Sequence, residues 1–191
     1  YAKAAYDIEY EFPFGWNEIE GIHNRTDFDL QRHQAASGKK REYFEPATNE
    51  RFVPFIVETS AGADRVTLTT LVDAYREEQV EGETRVVLGF HPSIAPIKVG
   101  VFPLVKKDGM PEFATRLFHD LKQQVPAFYD DSGAVGRRYR RMDEAGTPFC
   151  VTVDGQTLQD GTVTVRHRDA MNQDRVAADT LRAWLRERTE D

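Results

Sequence analysis

Apolar and polar positions alternate early in the chain. "YDIEYEFPFGWNEIEGIHNRTDFDL" sets aromatic and aliphatic residues at near-alternate positions among carboxylates. Period two predicts strands that show acids on one face. "RFVPFIVETS" reads as a further strand. From about 63 to 77 the period lengthens: Leu68, Leu71, Val72 and Tyr75 fall at i, i+3, i+4 and i+7, one apolar stripe that predicts a helix facing a sheet. "IKVGVFPLV" (97–105) is apolar almost throughout, as expected of a strand covered on both faces. Pro111 then opens a helix whose stripe is Phe113, Leu117, Phe118 and Leu121. "AFYDD", "FCVTVD" and "TVTVR" predict three more strands, "DGQTLQDG" (154–161) carries hairpin signals, and Leu181, Trp184 and Leu185 mark a closing helix. The order strand, helix, strand, helix, strand, strand, helix predicts an α/β (α+β) fold with a mixed sheet. In "EEQVEGETRVVLGFHPSIAP" (77–96) a charged helix end passes into a Pro-punctuated connection, which predicts a division of the chain.

Composition narrows the function classes. With 191 residues, 40% of them hydrophobic, there is room for one large domain or two small ones. Lys and Arg number 25 against 32 Asp and Glu, a net charge of −7, so nucleic-acid binding requires a local basic patch. Cys150 is the single cysteine, which excludes an internal disulfide and a cysteine-rich zinc site and fits a reducing cytosol. The five histidines show no metal-ligand spacing, and the chain carries no Walker loop, dinucleotide fingerprint or nucleophile elbow. No apolar stretch approaches the ~20 residues of a membrane span. The opening "YAKAAYDIEY" lacks the apolar centre of a signal peptide, and the missing initial Met points to a fragment.

Three stretches carry candidate chemistry. In "ETSAGADR" (58–65) a strand runs through a small-residue turn into a helix, which sets free N–H groups and the positive helix end beside Arg65, an anion site. The alternative is structural: Thr59 or Ser60 caps the helix, Asp64 favours its dipole and Arg65 pairs with a surface acid. Glu18 and Glu20 in "GWNEIEGI" stand on one strand face by period two, suited to a metal ion or an ammonium, or else to a solvated acidic face. Asp27 and Asp29 repeat the pattern. In "GRRYRRMDE" (136–144) Arg137, Arg138, Arg140 and Arg141 surround Tyr139, and Arg166 and Arg168 follow in "RHRD". These arginines either hold RNA phosphates or build salt bridges with Asp143, Glu144 and Asp169.

Together "FPFGWNEIEGIHNRTDFDL", "ETSAGADR", "APIKVGVFPLVKK" and "GRRYRRMDEAGTPFCVTVDGQTLQDGTVTVRHRD" resemble, in order, blocks of the eukaryote-and-archaeal-type glycyl-tRNA synthetase, a dimeric class II aminoacyl-tRNA synthetase. The resemblance implies a partial class II antiparallel catalytic sheet over 1–92, with the third class II motif at 58–65, and an anticodon-binding domain over 93–191. It implies contacts to glycine from Glu20, Glu58, Thr59, Ser60, Ala61 and Gly62. Contacts to ATP are implied for Glu18, Ile19, Gly62, Ala63, Asp64 and Arg65, with Glu18 as a carboxylate for Mg²⁺. The tRNA(Gly) contacts fall on Arg137, Arg138, Tyr139, Arg140, Arg141, Arg166 and Arg168. No side chain is implied as a covalent nucleophile, and the setting is a cytoplasmic homodimer with no membrane association. The first two class II motifs, which in the family lie upstream, are not among these residues, so the chain alone is expected to ligate glycine poorly or not at all, and its sheet to have open edges and unpaired apolar faces. The alternative is a noncatalytic nucleic-acid-binding module of the polymerase accessory-subunit type.

Overall fold

A computed structural model describes residues 2–190. It divides into two compact units, one ending at Val72 and the other beginning at Asp73.

In the first unit β1 (Ala4–Phe12), β2 (Gly15–Thr26), α1 (Phe28–Ser37), β3 (Tyr43–Glu45), β4 (Glu50–Phe52), β5 (Ile56–Ala61) and α2 (Ala63–Ala74) follow in order. β1, β2 and β5 form an antiparallel sheet with β2 central, and β3 and β4 form a separate hairpin. One prediction fails at "RTDFDL". Asp27 stands at the N-cap position of α1 and Asp29 in its first turn, because Arg25 turns to bond both Asp29 oxygens, at 2.5 and 2.9 Å. The three-stranded sheet leaves Tyr6, Ile8, Trp16 and Val57 exposed, in line with the expected unpaired faces. The stripe on α2 was expected to face a sheet, yet Leu68, Leu71 and Tyr75 are exposed.

The second unit holds β6 (Tyr75–Val80), β7 (Glu83–Leu88), β8 (Val99–Pro103), α3 (Met110–Lys122), β9 (Ala127–Tyr129), α4 (Val135–Glu144), β10 (Phe149–Val153), α5 (Thr157–Asp160), β11 (Thr162–His167), β12 (Gln173–Ala177) and α6 (Leu181–Thr189). The predicted helix stops at Ala74 instead of 77, and a β6–β7 hairpin replaces the expected connection. Its turn takes Glu81 at φ 53° and Gly82 at φ 84°, the double left-handed geometry of a tight hairpin.

β12-β11-β10-β8-β9 form a mixed sheet, with β8 parallel to β10 and β9, and β11 antiparallel to β10 and β12. All five β8 residues are buried, as its apolar run predicts. On one face Val99, Val101, Val151, Val153, Val163 and Val165 pack against Leu117 and Leu121 of α3 and Leu181 and Leu185 of α6. Each such aliphatic side chain contributes roughly 1.5–3 kcal/mol through burial. On the other, Phe102 and Cys150 meet Met142 and Tyr139 of α4. The 154–161 connection winds into one helical turn, where Asp154 Oδ1 accepts from Thr157 N at 3.0 Å and Gly161 closes in the left-handed region.

Candidate functional site

Register decides which face each group of the first unit presents. Ile8 pairs with Glu20 and Glu9 with Glu18, so β2 carries an extra residue at Ile19, a β-bulge. Adjacent residues point to opposite faces and cross-strand partners to the same one. Glu18 therefore shares a face with Glu9 and Gly21, and Glu20 lies on the opposite face with Ile8 and Ala61. This corrects the expectation that the two carboxylates share a face, since period two holds only in an unbroken strand. Ser60 pairs with Gly21 and Glu58 with His23, which puts both on the Glu18 face, while Thr59 pairs with Ile22 on the Glu20 face. Gly21 puts no side chain on that face between His23 and Glu18. A Cβ there would meet His23 Cε1 at 2.9 Å and Glu18 Oε1 at 3.6 Å.

Glu18, Ile19, Ser60, Ala61, Gly62 and Arg65 line a pocket of about 500 Å³. Its corner is the N-terminus of α2, where Val66 N bonds Gly62 O at 2.9 Å. The free N–H groups and dipole of that turn favour an anion. Arg65 donates from Nη1 to the Glu18 carbonyl, which fastens the first turn of α2 to the bulge, so its partner is backbone and not the expected surface acid. Thr59 and Ser60 lie within β5, and among the described residues neither side chain donates to or accepts from the first turn of α2. Ala63 and Asp64 fall in the first turn of α2, outside the pocket lining. Glu58 Oε2 accepts from Arg25 Nη1 at 2.8 Å. Among the described residues no three His, Cys, Asp or Glu side chains cluster to hold a metal, so Glu18 offers a single carboxylate.

The arginine block divides in two. Arg138 is buried and donates to Gly133 O at 2.8 Å and to Pro103 O. Arg166 is buried and grips Asp143 through two hydrogen bonds of 2.9 and 3.1 Å. Arg168 is buried against the carbonyls of Gly146 (2.9 Å) and Phe90 (2.8 Å) and the carboxylate of Asp169. Tyr139 bonds Thr152 Oγ1 at 2.7 Å, and its ring lies 5.0 Å from the Arg166 guanidinium. These four have the inward partners of the structural reading: the guanidiniums of Arg138, Arg166 and Arg168 donate to buried carbonyls and carboxylates, and the Tyr139 hydroxyl bonds Thr152. Arg137 and Arg141 are exposed on α4 and Arg140 is half-buried. Arg141 pairs with Asp130, Nε to Oδ2 at 3.0 Å.

Sequence reasoning missed Arg85. It is fully buried, donating from Nε to Asp143 at 2.9 Å, from Nη1 to Glu78 at 2.6 Å and from Nη2 to Arg168 O at 2.5 Å. The signal for its strand was present: "YREEQV" and "ETRVVL" flank Glu81–Gly82, a hairpin pattern. Cys150 is buried beneath α4, and desolvation pushes its thiol up to about 12, which makes it inert as a nucleophile.

Comparison with known proteins adds the wider context. Residues 98–188 match a family model described as an anticodon binding domain. The chain is 54% identical to the glycine–tRNA ligase of Caldanaerobacter subterraneus subsp. tengcongensis, over 98% of its own length and 40% of that protein's. It is 56% identical to that of Chlorobaculum tepidum, over 92% and 37%, and 51% identical to that of Borreliella burgdorferi, over 97% and 42%. The chain thus spans about 40% of the length of these relatives. The mixed α/β architecture agrees with an anticodon-binding domain of a class II synthetase, and these relatives, matched along nearly the whole chain, bear the name glycine–tRNA ligase.

Proposed function

We propose, from the homology of this chain to glycine–tRNA ligases, that it is the C-terminal portion of such an enzyme: the end of the catalytic domain over 1–92 followed by the anticodon-binding domain over 93–191. The observation that carries the reading is the pocket where the β2 bulge meets the N-terminus of α2, lined by Glu18, Ile19, Ser60, Ala61, Gly62 and Arg65. In the full-length enzyme glycine and ATP form glycyl-adenylate with release of pyrophosphate, and the glycyl group then passes to a hydroxyl of the terminal ribose of tRNA(Gly) with release of AMP.

Glu58 and Ser60 face the glycine ammonium from the Glu18 side of the sheet, and Arg65 with the first turn of α2 favours the negative charge of ATP. The chemistry is positioning and charge neutralisation, with no covalent nucleophile. Glu18 is the carboxylate toward Mg²⁺. A single carboxylate suits an ion held largely by substrate phosphates and water, and the Glu18 side chain accepts no hydrogen bond among the described residues. Bound there, the ion neutralises phosphate charge. Arg137, Arg140 and Arg141 form the tRNA-facing side of α4. The eukaryote-and-archaeal form, the homodimer and the cytoplasmic setting belong to the same proposal, and no helix among the described residues is long and apolar enough to cross a membrane.

Glycine-dependent exchange of pyrophosphate into ATP tests the proposal. The full-length ligase exchanges with glycine, and Glu58→Gln raises the KM for glycine. Exchange with another amino acid and not with glycine overturns the specificity. The isolated chain is expected to exchange poorly or not at all.

A further inference from the structure

We infer that Arg25 is a positioning residue for the amino-acid site, holding the Glu58 carboxylate in the orientation that meets the substrate ammonium; the inference rests on the proposed glycyl-adenylate site. Asn24 pairs with Val57 and Thr26 with Ile56, so Arg25 is the extra residue of a second bulge in β2. From that bulge its guanidinium joins two elements. Nε and Nη2 grip Asp29 in the first turn of α1 at 2.5 and 2.9 Å, and Nη1 donates to Glu58 Oε2 at 2.8 Å. Asp29 thus locks the fork, and the remaining arm of the fork locks Glu58.

The arrangement fixes one oxygen of Glu58 and leaves the other. Oε1 carries no hydrogen bond among the described residues, so a held carboxylate presents one free acceptor on the face of Glu18 and Ser60. An unheld Glu side chain has three rotatable bonds to order on binding, and Arg25 removes that cost beforehand. A planar guanidinium bridges two carboxylates at fixed angles, which an ammonium at the end of a lysine does not. The paired guanidinium also holds the Asp29 carboxyl below its ordinary value, so the bridge stays charged at neutral pH. No atom of Arg25 needs to touch substrate.

Pyrophosphate exchange in the full-length ligase of which this chain is proposed to be a part separates these roles. Arg25→Gln is expected to raise the KM for glycine about ten- to a hundredfold, with the KM for ATP within about twofold. Arg25→Lys keeps the charge but loses the fork and falls between Arg25→Gln and the parent. Asp29→Asn, remote from substrate, weakens glycine in the same direction. Arg25→Gln combined with Glu58→Gln is expected to be no worse than Glu58→Gln alone, the signature of action through that carboxylate. Additive losses, an unchanged KM for glycine, or equal losses for glycine and ATP in Arg25→Lys overturn the inference while the Glu58→Gln effect leaves the site standing. An unaltered KM for glycine in Glu58→Gln overturns the site itself, and this role of Arg25 with it.

Discussion

Asp143→Ala tests whether the buried ion network clamps the β6–β7 hairpin to the rest of the second unit. Asp143 is fully buried and takes three hydrogen bonds from two guanidiniums, Arg85 Nε at 2.9 Å and Arg166 at 2.9 and 3.1 Å. Charge-assisted bonds contribute roughly 1.5–3 kcal/mol each, a gross loss of about 5–9 kcal/mol. Releasing the carboxylate from its own desolvation offsets part of that, while Arg85 and Arg166 remain buried and short of their counter-ion, so the net loss is about 3–5 kcal/mol. Arg85 keeps Glu78 and the Arg168 carbonyl, which sets the estimate toward the middle of that range. At this chain size the melting temperature falls by roughly 6–20 °C. Urea unfolding followed by Trp184 fluorescence in a Trp16→Phe background measures it, because Trp184 packs edge-on against Phe149 at 5.2 Å while Trp16 is exposed. Arg166→Met should cost less, since Arg85 still neutralises Asp143. A loss under about 1 kcal/mol for Asp143→Ala refutes the reasoning, for it would mean that the two guanidiniums find other partners at little cost.

Further outcomes follow from the same geometry. Arg137→Ala with Arg140→Ala should weaken tRNA binding and lower the salt slope by about one for each phosphate contact removed, with the melting temperature unchanged, whereas Arg138→Ala should destabilise the chain by about 2 kcal/mol. Filter binding across a salt series reads this, and unchanged affinity would take α4 out of the interface. Gly146→Ala should cost about 3 kcal/mol or more, because at φ +77° its Cβ would lie 2.3 Å from Phe90 Cδ2 and 3.0 Å from Leu88 O; a near-parental urea midpoint would contradict the packing. The Arg175 guanidinium first, then the Thr157 groups, hold the Asp154 carboxyl well below the carboxylate range, and a hydrogen bond from the Thr162 hydroxyl leads those that bring Asp160 to about 2. Depressed folded values stabilise above the unfolded carboxyl value of ~4 and lose that contribution as pH falls below it. Melting temperatures from pH 6 to 2 should therefore fall less steeply in Asp154→Asn than in the parent, and parallel curves would dismiss the ion pair as a source of acid sensitivity.

Much of the second unit was legible along the chain, because its elements are local patterns. The run Val99–Pro103 is apolar since both faces of β8 are covered, and the stripe from Phe113 to Leu121 is helical since α3 covers one of them. The acid–small–Arg65 junction announced itself likewise as a strand feeding a helix, and Glu18, Ile19, Ser60, Ala61, Gly62 and Arg65 do meet at one pocket. Tertiary structure alone decided the rest. Period two put Glu18 and Glu20 together, and one inserted residue at Ile19 parted them, since a bulge reverses facing without any mark in composition. Six residues around an arginine-rich helix looked equally basic in sequence, yet Arg138, Arg166 and Arg168 turn inward and Arg137 does not. An arginine reaches outward or inward according to which carbonyls and carboxylates the distant strands bring beneath it, here Pro103, Asp143 and Gly146, and that is set by long-range pairing rather than by neighbours in the chain.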